Sequence, residues 1–113
     1  MNWTTYTNEH GMPDVTGSDG GVIVADEEHG LGARITLERL GEIEPFCITC
    51  GIYDWMMHTR YVATGNQAQQ DYAAMKVELD KILEMIPLRF DPELDQKIDR
   101  ATQAMAAFVD KFP

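Results

Sequence analysis

The pair Cys47 and Cys50, in the sequence C-I-T-C, has a spacing that often carries thiol chemistry. It begins the run 45–63, which is mostly apolar and has no turn signal over about 19 residues, so the run is predicted to be a helix. Exposed N–H groups at a helix N-terminus lower the pKa of a thiol, and the thiolate is the reactive species. Cys47 would then be the nucleophile, Cys50 the resolving thiol and Asp54 a nearby carboxylate.

A metal site is a second use that the same face of the predicted helix suggests. The face carries four candidate ligands, Cys47, Cys50, Asp54 and His58. At a rise of about 1.5 Å per residue, the first and the last lie roughly 16 Å apart, too far for one tetrahedral ion. The two cysteines could share an ion only with a ligand from elsewhere, such as His29 or His10. The chain has no second C-x-x-C motif and no H-x-x-x-H motif to supply the usual other half.

A third interpretation is that both cysteines are buried core residues with no chemical role. Free cysteine is among the most buried residue types and behaves as a small apolar group. Cys47 and Cys50 are therefore expected to be core residues, and Asp54 and His58, four residues apart, are expected to pair with each other. We favour this interpretation, which assigns no catalytic residue, no metal ligand and no cofactor.

The composition argues against several classes of function. The net charge is −10, whereas nucleic-acid binding requires a basic surface for the phosphates. Asp14 and Asp19 do not have the spacing of a calcium loop. Ser18 is the only serine, and the glycines do not form a phosphate-binding loop.

The sequence also suggests where the protein works. Asp54 and Arg60 interrupt the longest apolar stretch, so no membrane-spanning segment is expected. The N-terminus lacks the basic and apolar regions of a signal peptide. Two cysteines three positions apart cannot form the disulfide framework of a secreted mini-protein. A cytoplasmic location is therefore expected.

The remaining elements are predicted to surround the helix at 45–63. Residues 1–20 are expected to be an arm or loop with one short strand near its start, because turn-forming residues dominate them. Residues 22–40 predict a β-hairpin. Residues 66–86 and 91–111 place apolar side chains three and four positions apart, which predicts two amphipathic helices.

The hairpin prediction depends on a clean alternation in its second strand. Ile35 and Leu37 are expected to face inward, and Thr36 and Glu38 to face water. A lone two-stranded sheet is marginally stable, so it must lie on helices, gain a third strand or pair with a second chain. A homodimer through the hairpin edge is therefore expected.

The predicted fold class is α+β, in a single domain of residues 1–113. A β-hairpin of two or three strands would pack on an antiparallel three-helix unit, a small helical bundle with the 45–63 helix buried at its centre. Pro45 suits the first turn of that helix, and Glu42 and Glu44 place negative charge near its N-terminus.

The expected function is that of a small acidic intracellular interaction or regulatory module without catalysis. Residues 1–56 carry ten acidic side chains against Arg34 and Arg39, and such an acidic pole favours a basic protein partner. The alternative is a thiol-redox or metal-binding protein that uses the cysteine pair with Asp54 and His58. A third possibility is a small-molecule pocket between hairpin and helices, lined by Tyr53, Trp55 and Tyr61.

Overall fold

In a computed structural model, which describes residues 2–43 and 45–113, the chain forms an antiparallel sheet followed by two helices. The five strands are β1 (Trp3–Thr5), β2 (Val22–His29), β3 (Ala33–Arg39), β4 (Phe46–Ile52) and β5 (Met56–Val62), and the helices are α1 (Gly65–Met85) and α2 (Leu94–Lys111). Each strand pairs with the next one in the chain, so the order across the sheet is β1-β2-β3-β4-β5. The helices cover one face, here called the inner face. The opposite face is called the outer face.

The predicted hairpin on a three-helix unit is wrong, and so is the helical bundle, because residues 45–63 form β4 and β5. The two strands are joined by a tight turn in which the Trp55 N–H donates to the Ile52 carbonyl at 2.9 Å. Asp54 has a φ of 69°, a left-handed conformation that aspartate tolerates better than most residues. The turn therefore needs neither glycine nor proline, the residues that normally signal one. Glu44, expected to stabilise a helix here, lies outside the described residues.

β2 and β3 form a hairpin within the segment 22–40, and Ile35 and Leu37 are fully buried on the inner face. The opposite side of β3 was expected to be wet. Instead, Thr36 and Glu38 are only 8% and 0% exposed. They are covered because the connection between β1 and β2, residues 6–21, runs over this part of the outer face. We call residues 6–21 the N-terminal segment.

The start of the chain is anchored on both faces of the sheet. Trp3 of β1 is buried on the inner face and donates from its indole N–H to Asp80 of α1 at 2.9 Å. The ring of Tyr6 lies on the outer face, 3.5 Å from the guanidinium carbon of Arg34. These contacts tie the N-terminal segment to the sheet at its beginning, so it is more than a surface arm.

Both helices start at positions different from those predicted. α1 begins at Gly65 rather than at residue 66, and its N-cap is Thr64, whose hydroxyl accepts from the Gln67 N–H. α2 begins at Leu94 rather than at residue 91, because the Asp91 carboxylate accepts from the Glu93 N–H in a turn before the helix. None of the helices in the described ranges is long and apolar enough to cross a membrane.

The core lies between the inner face and the two helices. Its largest fully buried side chains on the sheet are aliphatic, and α1 supplies Met75 and Leu79 against them. α2 contributes Ala101 and Phe108. Most residues of the apolar stripes predicted for these helices are buried, with α1 packed on the sheet and α2 packed mainly on α1. This packing leaves the outer face of β3, β4 and β5 as the place where a site can be open to solvent.

Candidate functional site

The two cysteines lie on opposite faces of the sheet. Cys47 and Cys50 are three residues apart on β4, and side chains alternate between the faces along a strand. Cys47 faces the N-terminal segment, whereas Cys50 faces the helices between Ile35 of β3 and His58 of β5. Both are buried and free. The structure therefore does not bring the C-I-T-C pair together as a dithiol.

Burial keeps both thiols protonated. It raises the pKa of Cys47 to about 12, and the hydrogen bond to Asp19 and the charge of Glu38 act in the same direction. Burial alone raises the pKa of Cys50 to about 12. The thiolate is the nucleophilic form, and these pKa values lie far above neutral pH. Neither cysteine is therefore an activated nucleophile, and β4 offers no helix N-terminus that would lower either pKa.

Cys47 forms a cluster with Asp19 and Glu38, and the ligand atoms of the three residues lie within 4.8 Å of one another. The Cys47 sulfur lies 3.3 Å from Asp19 Oδ2 and 3.6 Å from Glu38 Oε2. The Gly21 N–H donates to Glu38 Oε1 at 3.0 Å. Within the described residues, this set could hold a divalent cation. It has a simpler role as well, because the contacts of Asp19 with Cys47 and of Gly21 with Glu38 fasten the N-terminal segment to the outer face.

Asp54 and His58, expected to pair, lie on different parts of the β4–β5 hairpin. Asp54 is in the turn. His58 is on the inner face, where its Nε2 contacts the Phe112 carbonyl and its ring meets that of Phe108 edge-on. His58 is thus a packing residue at the end of α2, opposite Cys50 in the strand register.

The other two histidines are also remote from the cysteines. The Nδ1 of His29 accepts from the Leu31 N–H at 3.0 Å, and its Nε2 lies 3.1 Å from Asp80. His29 is on β2, and β3 separates it from β4. Two strand spacings are about 9.6 Å, too far for an ion shared with Cys50. His10 is exposed beside Glu9.

A cavity of about 720 Å³ opens on the outer face beside the β4–β5 turn. Its apolar wall includes Tyr53, Trp55 and Met57, of which Tyr53 is 55% and Met57 is 80% exposed. Hydroxyl groups line it as well, from Thr16, Ser18, Thr36 and Thr49. A volume of this size falls within the range of about 300–1,000 Å³ that is typical of small-ligand sites.

Among the described residues that line the cavity, Arg34 is the one with a basic side chain, and its charge is already neutralised. Its Nε and Nη2 donate to the two carboxylate oxygens of Asp26 at 3.0 and 2.7 Å, and Nη2 lies 3.4 Å from Asp14. The hydrogen bonds to Asp26 are the main reason that the pKa of Arg34 is raised above its ordinary value. With two carboxylates around one guanidinium, the cavity favours a neutral or cationic ligand over an anion.

A second set of polar contacts lies on the inner face, between β2 and α1. Glu27 accepts from the Tyr72 hydroxyl and from Lys76 Nζ, both at 2.8 Å. Burial would raise the pKa of Glu27, but these hydrogen bonds outweigh it and lower the pKa below 4.5. Lys76 therefore faces the sheet. This set positions α1 on the sheet and is not open as a binding site.

The sequence analysis identified two residues that line the cavity, but it placed them on the wrong side of the sheet. Tyr53 and Trp55 were expected between hairpin and helices, yet both line the outer-face cavity, Trp55 while also packing against the core, and Tyr61 does not line the cavity. The burial of Glu38 was missed. The glycines at 17, 20 and 21 were a usable signal, since clustered glycines often mark a close approach of backbone to another element.

The outer face thus offers an apolar wall, several hydroxyl groups and a neutralised guanidinium, beside a cysteine that is protonated. Such a surface can hold an apolar group by contact, and neither thiol is poised to form a covalent bond with it. No protein-family model, curated protein or solved structure matches the chain.

Proposed function

We propose that the protein is a non-catalytic interaction module that binds an apolar segment of a basic protein partner in the outer-face cavity. The observation that carries the proposal is the wall of the cavity, where the aromatic ring of Tyr53 and the thioether of Met57 are more than half exposed beside Trp55. Aromatic residues and methionine are enriched at protein interfaces because they bury large apolar areas. Such groups left open on one face are a common mark of a binding surface.

Charge supports a basic partner. The chain has a net charge of −10, and Asp14 and Asp54 line the cavity while Arg34 is neutralised. An acidic field of this kind speeds the encounter with a basic protein and disfavours an acidic one. The apolar wall would then supply the contact area once the partner has arrived.

Two properties of the cysteines support other parts of the proposal. Their protonated state supports a function without catalysis, and the absence of a disulfide between them supports a cytoplasmic location. Cys47 and Cys50 have pKa values raised to about 12, so they lack the thiolate that redox or nucleophilic chemistry requires. Both are free, as is usual for proteins of the reducing cytosol.

A neutral fluorescent probe tests the cavity. N-phenyl-1-naphthylamine is apolar and uncharged, and we expect it to bind saturably with quenching of tryptophan fluorescence. Tyr53→Ala should weaken binding roughly tenfold, the equivalent of about 1.4 kcal/mol of lost contact. The control Val77→Ala removes an exposed apolar side chain from α1 and should bind the probe like the wild type. Equal affinity in wild type and Tyr53→Ala would exclude the cavity as the site.

Competition tests the chemistry of the partner. A seven-residue peptide of alternating lysine and leucine should displace the probe, and the same peptide with glutamate in place of lysine should not. Displacement by the lysine peptide should also be lost in Tyr53→Ala, which separates cavity binding from general attraction to an acidic protein. Displacement by both peptides to the same extent would exclude the basic partner.

A further inference from the structure

The strand β5 forms one edge of the sheet, and apart from the inward-pointing charge of Arg60 it lacks the features that normally protect an edge. Its seven residues, Met56–Val62, pair with β4 in a continuous register without a bulge. The sequence M-M-H-T-R-Y-V contains no proline, lysine or acidic residue. Natural edge strands are usually short, bulged, or interrupted by proline or charge, because a regular edge pairs with another strand. The opposite edge, β1, has only three residues.

The inner side of β5 is already covered. Arg60 Nε donates to Asp71 of α1 at 2.9 Å, and His58 contacts the end of α2. The outer side differs, because Met57 and Tyr61 are 80% and 50% exposed there. They lie two positions on either side of Thr59 on the same face. An added strand would therefore meet the exposed parts of Met57 and Tyr61 on one face and the packed core on the other.

This spacing makes β5 complementary to itself. In an antiparallel pair of two β5 strands centred on Thr59, Met57 of one copy lies opposite Tyr61 of the other, and the second such pair follows by symmetry. Directly opposed residues have Cβ atoms about 4.5–5.5 Å apart, and a methionine sulfur beside an aromatic ring is a favourable contact. A two-fold axis needs such a self-complementary patch.

Charge also points to a second copy. Two chains of −10 repel each other, so a homodimer is least unfavourable where the contact contains no carboxylate. β5 has none, and Arg60 is its only residue with a fixed charge. The hairpin edge first expected to dimerise is partly occupied, because β1 pairs with the last three residues of β2 and β4 pairs along β3.

We propose that β5 of one chain pairs antiparallel with β5 of a second chain about a two-fold axis at Thr59, giving a continuous ten-stranded sheet. A contact made mainly by one strand is smaller than an obligate interface, so the dimer is expected to dissociate in the micromolar range. The cavity lies beside this edge and shares Met57 with it, whereas Tyr53 belongs to the cavity alone.

A pair of complementary variants tests the register. Met57→Glu and Tyr61→Lys each replace one half of the apolar contact, and each alone should weaken dimerisation at least tenfold in sedimentation velocity. In an equimolar mixture, one heterodimer places the new carboxylate opposite the new ammonium group and keeps the original apolar contact at the other end. The mixture should therefore recover the dimer. Circular dichroism establishes that each variant is folded.

Two controls keep the result specific. Val77→Glu adds the same charge to an exposed site on α1 and should leave the dimer unchanged. Tyr53→Ala should also dimerise normally, so failure of the cavity and failure of the dimer are told apart. A wild type that stays monomeric at high micromolar concentration would overturn the proposal. So would a dimer that neither single variant weakens, or a mixture that remains monomeric.

Discussion

Gly17 lies directly against the carboxyl group of Glu38, so closely that a Cβ at position 17 would be 2.0 Å from Glu38 Cδ. Glu38 is fully buried, and its carboxylate accepts from the Gly21 N–H and contacts the thiol of Cys47. The N-terminal segment is therefore held on the outer face by a buried carboxyl group that would have to move if position 17 carried a side chain. This contact holds in place the part of the N-terminal segment that forms one wall of the cavity.

Gly17→Ala tests the contact. The added methyl group has no space, so we expect a loss of about 1–3 kcal/mol in the free energy of unfolding, as for other overpacked sites. Urea denaturation provides the measurement. Gly30→Ala is the matched control, because a Cβ there would meet no atom within 4 Å. Equal stability of the two variants would show that the N-terminal segment does not lie against Glu38.

The thiols provide a second prediction. A pKa of about 12 instead of the ordinary 9.0 lowers the thiolate fraction about a thousandfold near neutral pH. Reaction of the folded protein with 5,5′-dithiobis(2-nitrobenzoic acid) should therefore be slower than that of the unfolded protein by at least this factor. Cys50→Ser isolates Cys47. A Cys47 that reacts as fast as a free thiol would contradict its burial and reopen thiol chemistry as a function.

Metal addition distinguishes the two roles of the Asp19, Glu38 and Cys47 cluster. If the cluster only fastens the N-terminal segment, added zinc or a chelator should leave the melting temperature unchanged. A zinc-dependent rise in melting temperature that disappears in Cys47→Ala and persists in Cys50→Ala would identify a metal site there. Elemental analysis of protein purified without chelators gives an independent reading.

Glu27 should contribute to the loss of folding stability at acidic pH. Hydrogen bonds from Lys76 and Tyr72 hold its folded-state pKa below 4.5, so its contribution to stability is complete above about pH 4.5 and is lost as the pH falls through the folded-state value. Glu27→Gln should cost about 1–3 kcal/mol at pH 7. It should then lose less stability than the wild type between pH 5 and pH 3. The same acid dependence in both proteins would contradict this assignment, and Glu9→Gln is the exposed control.

The sequence predicted the elements in which apolar and polar residue types repeat with a regular period, although the polar side of β3 is itself covered. β3 alternates and α1 and α2 carry apolar stripes, so periodicity reveals them. β4 is different, because Cys47 is buried by the N-terminal segment and Ile48 by the helices. A strand covered on both faces has no alternation to read, and the turn at Asp54 has no glycine or proline. The run 45–63 therefore resembled one continuous helix.

The candidate site was harder to predict, since its walls come from distant parts of the chain. Asp14 and Ser18 of the N-terminal segment line the same cavity as Thr49 and Tyr53. They come together only because the N-terminal segment runs across the sheet. The aromatic side chains of the β4–β5 turn were recognised as pocket candidates, but the face on which they lie depends on their being in strands. One wrong element thus moved the pocket from the outer face to the inner face.

The most direct test of the outer-face site is a titration of ¹⁵N-labelled protein with the alternating lysine–leucine peptide, followed by two-dimensional NMR. The amide signals of Tyr53, Trp55 and Met57 should shift most, together with those of Thr16 and Ser18 across the cavity, and the signals of α2 should remain in place. Shifts confined to the helices, or no shifts at a peptide concentration that saturates probe displacement, would contradict the proposed function.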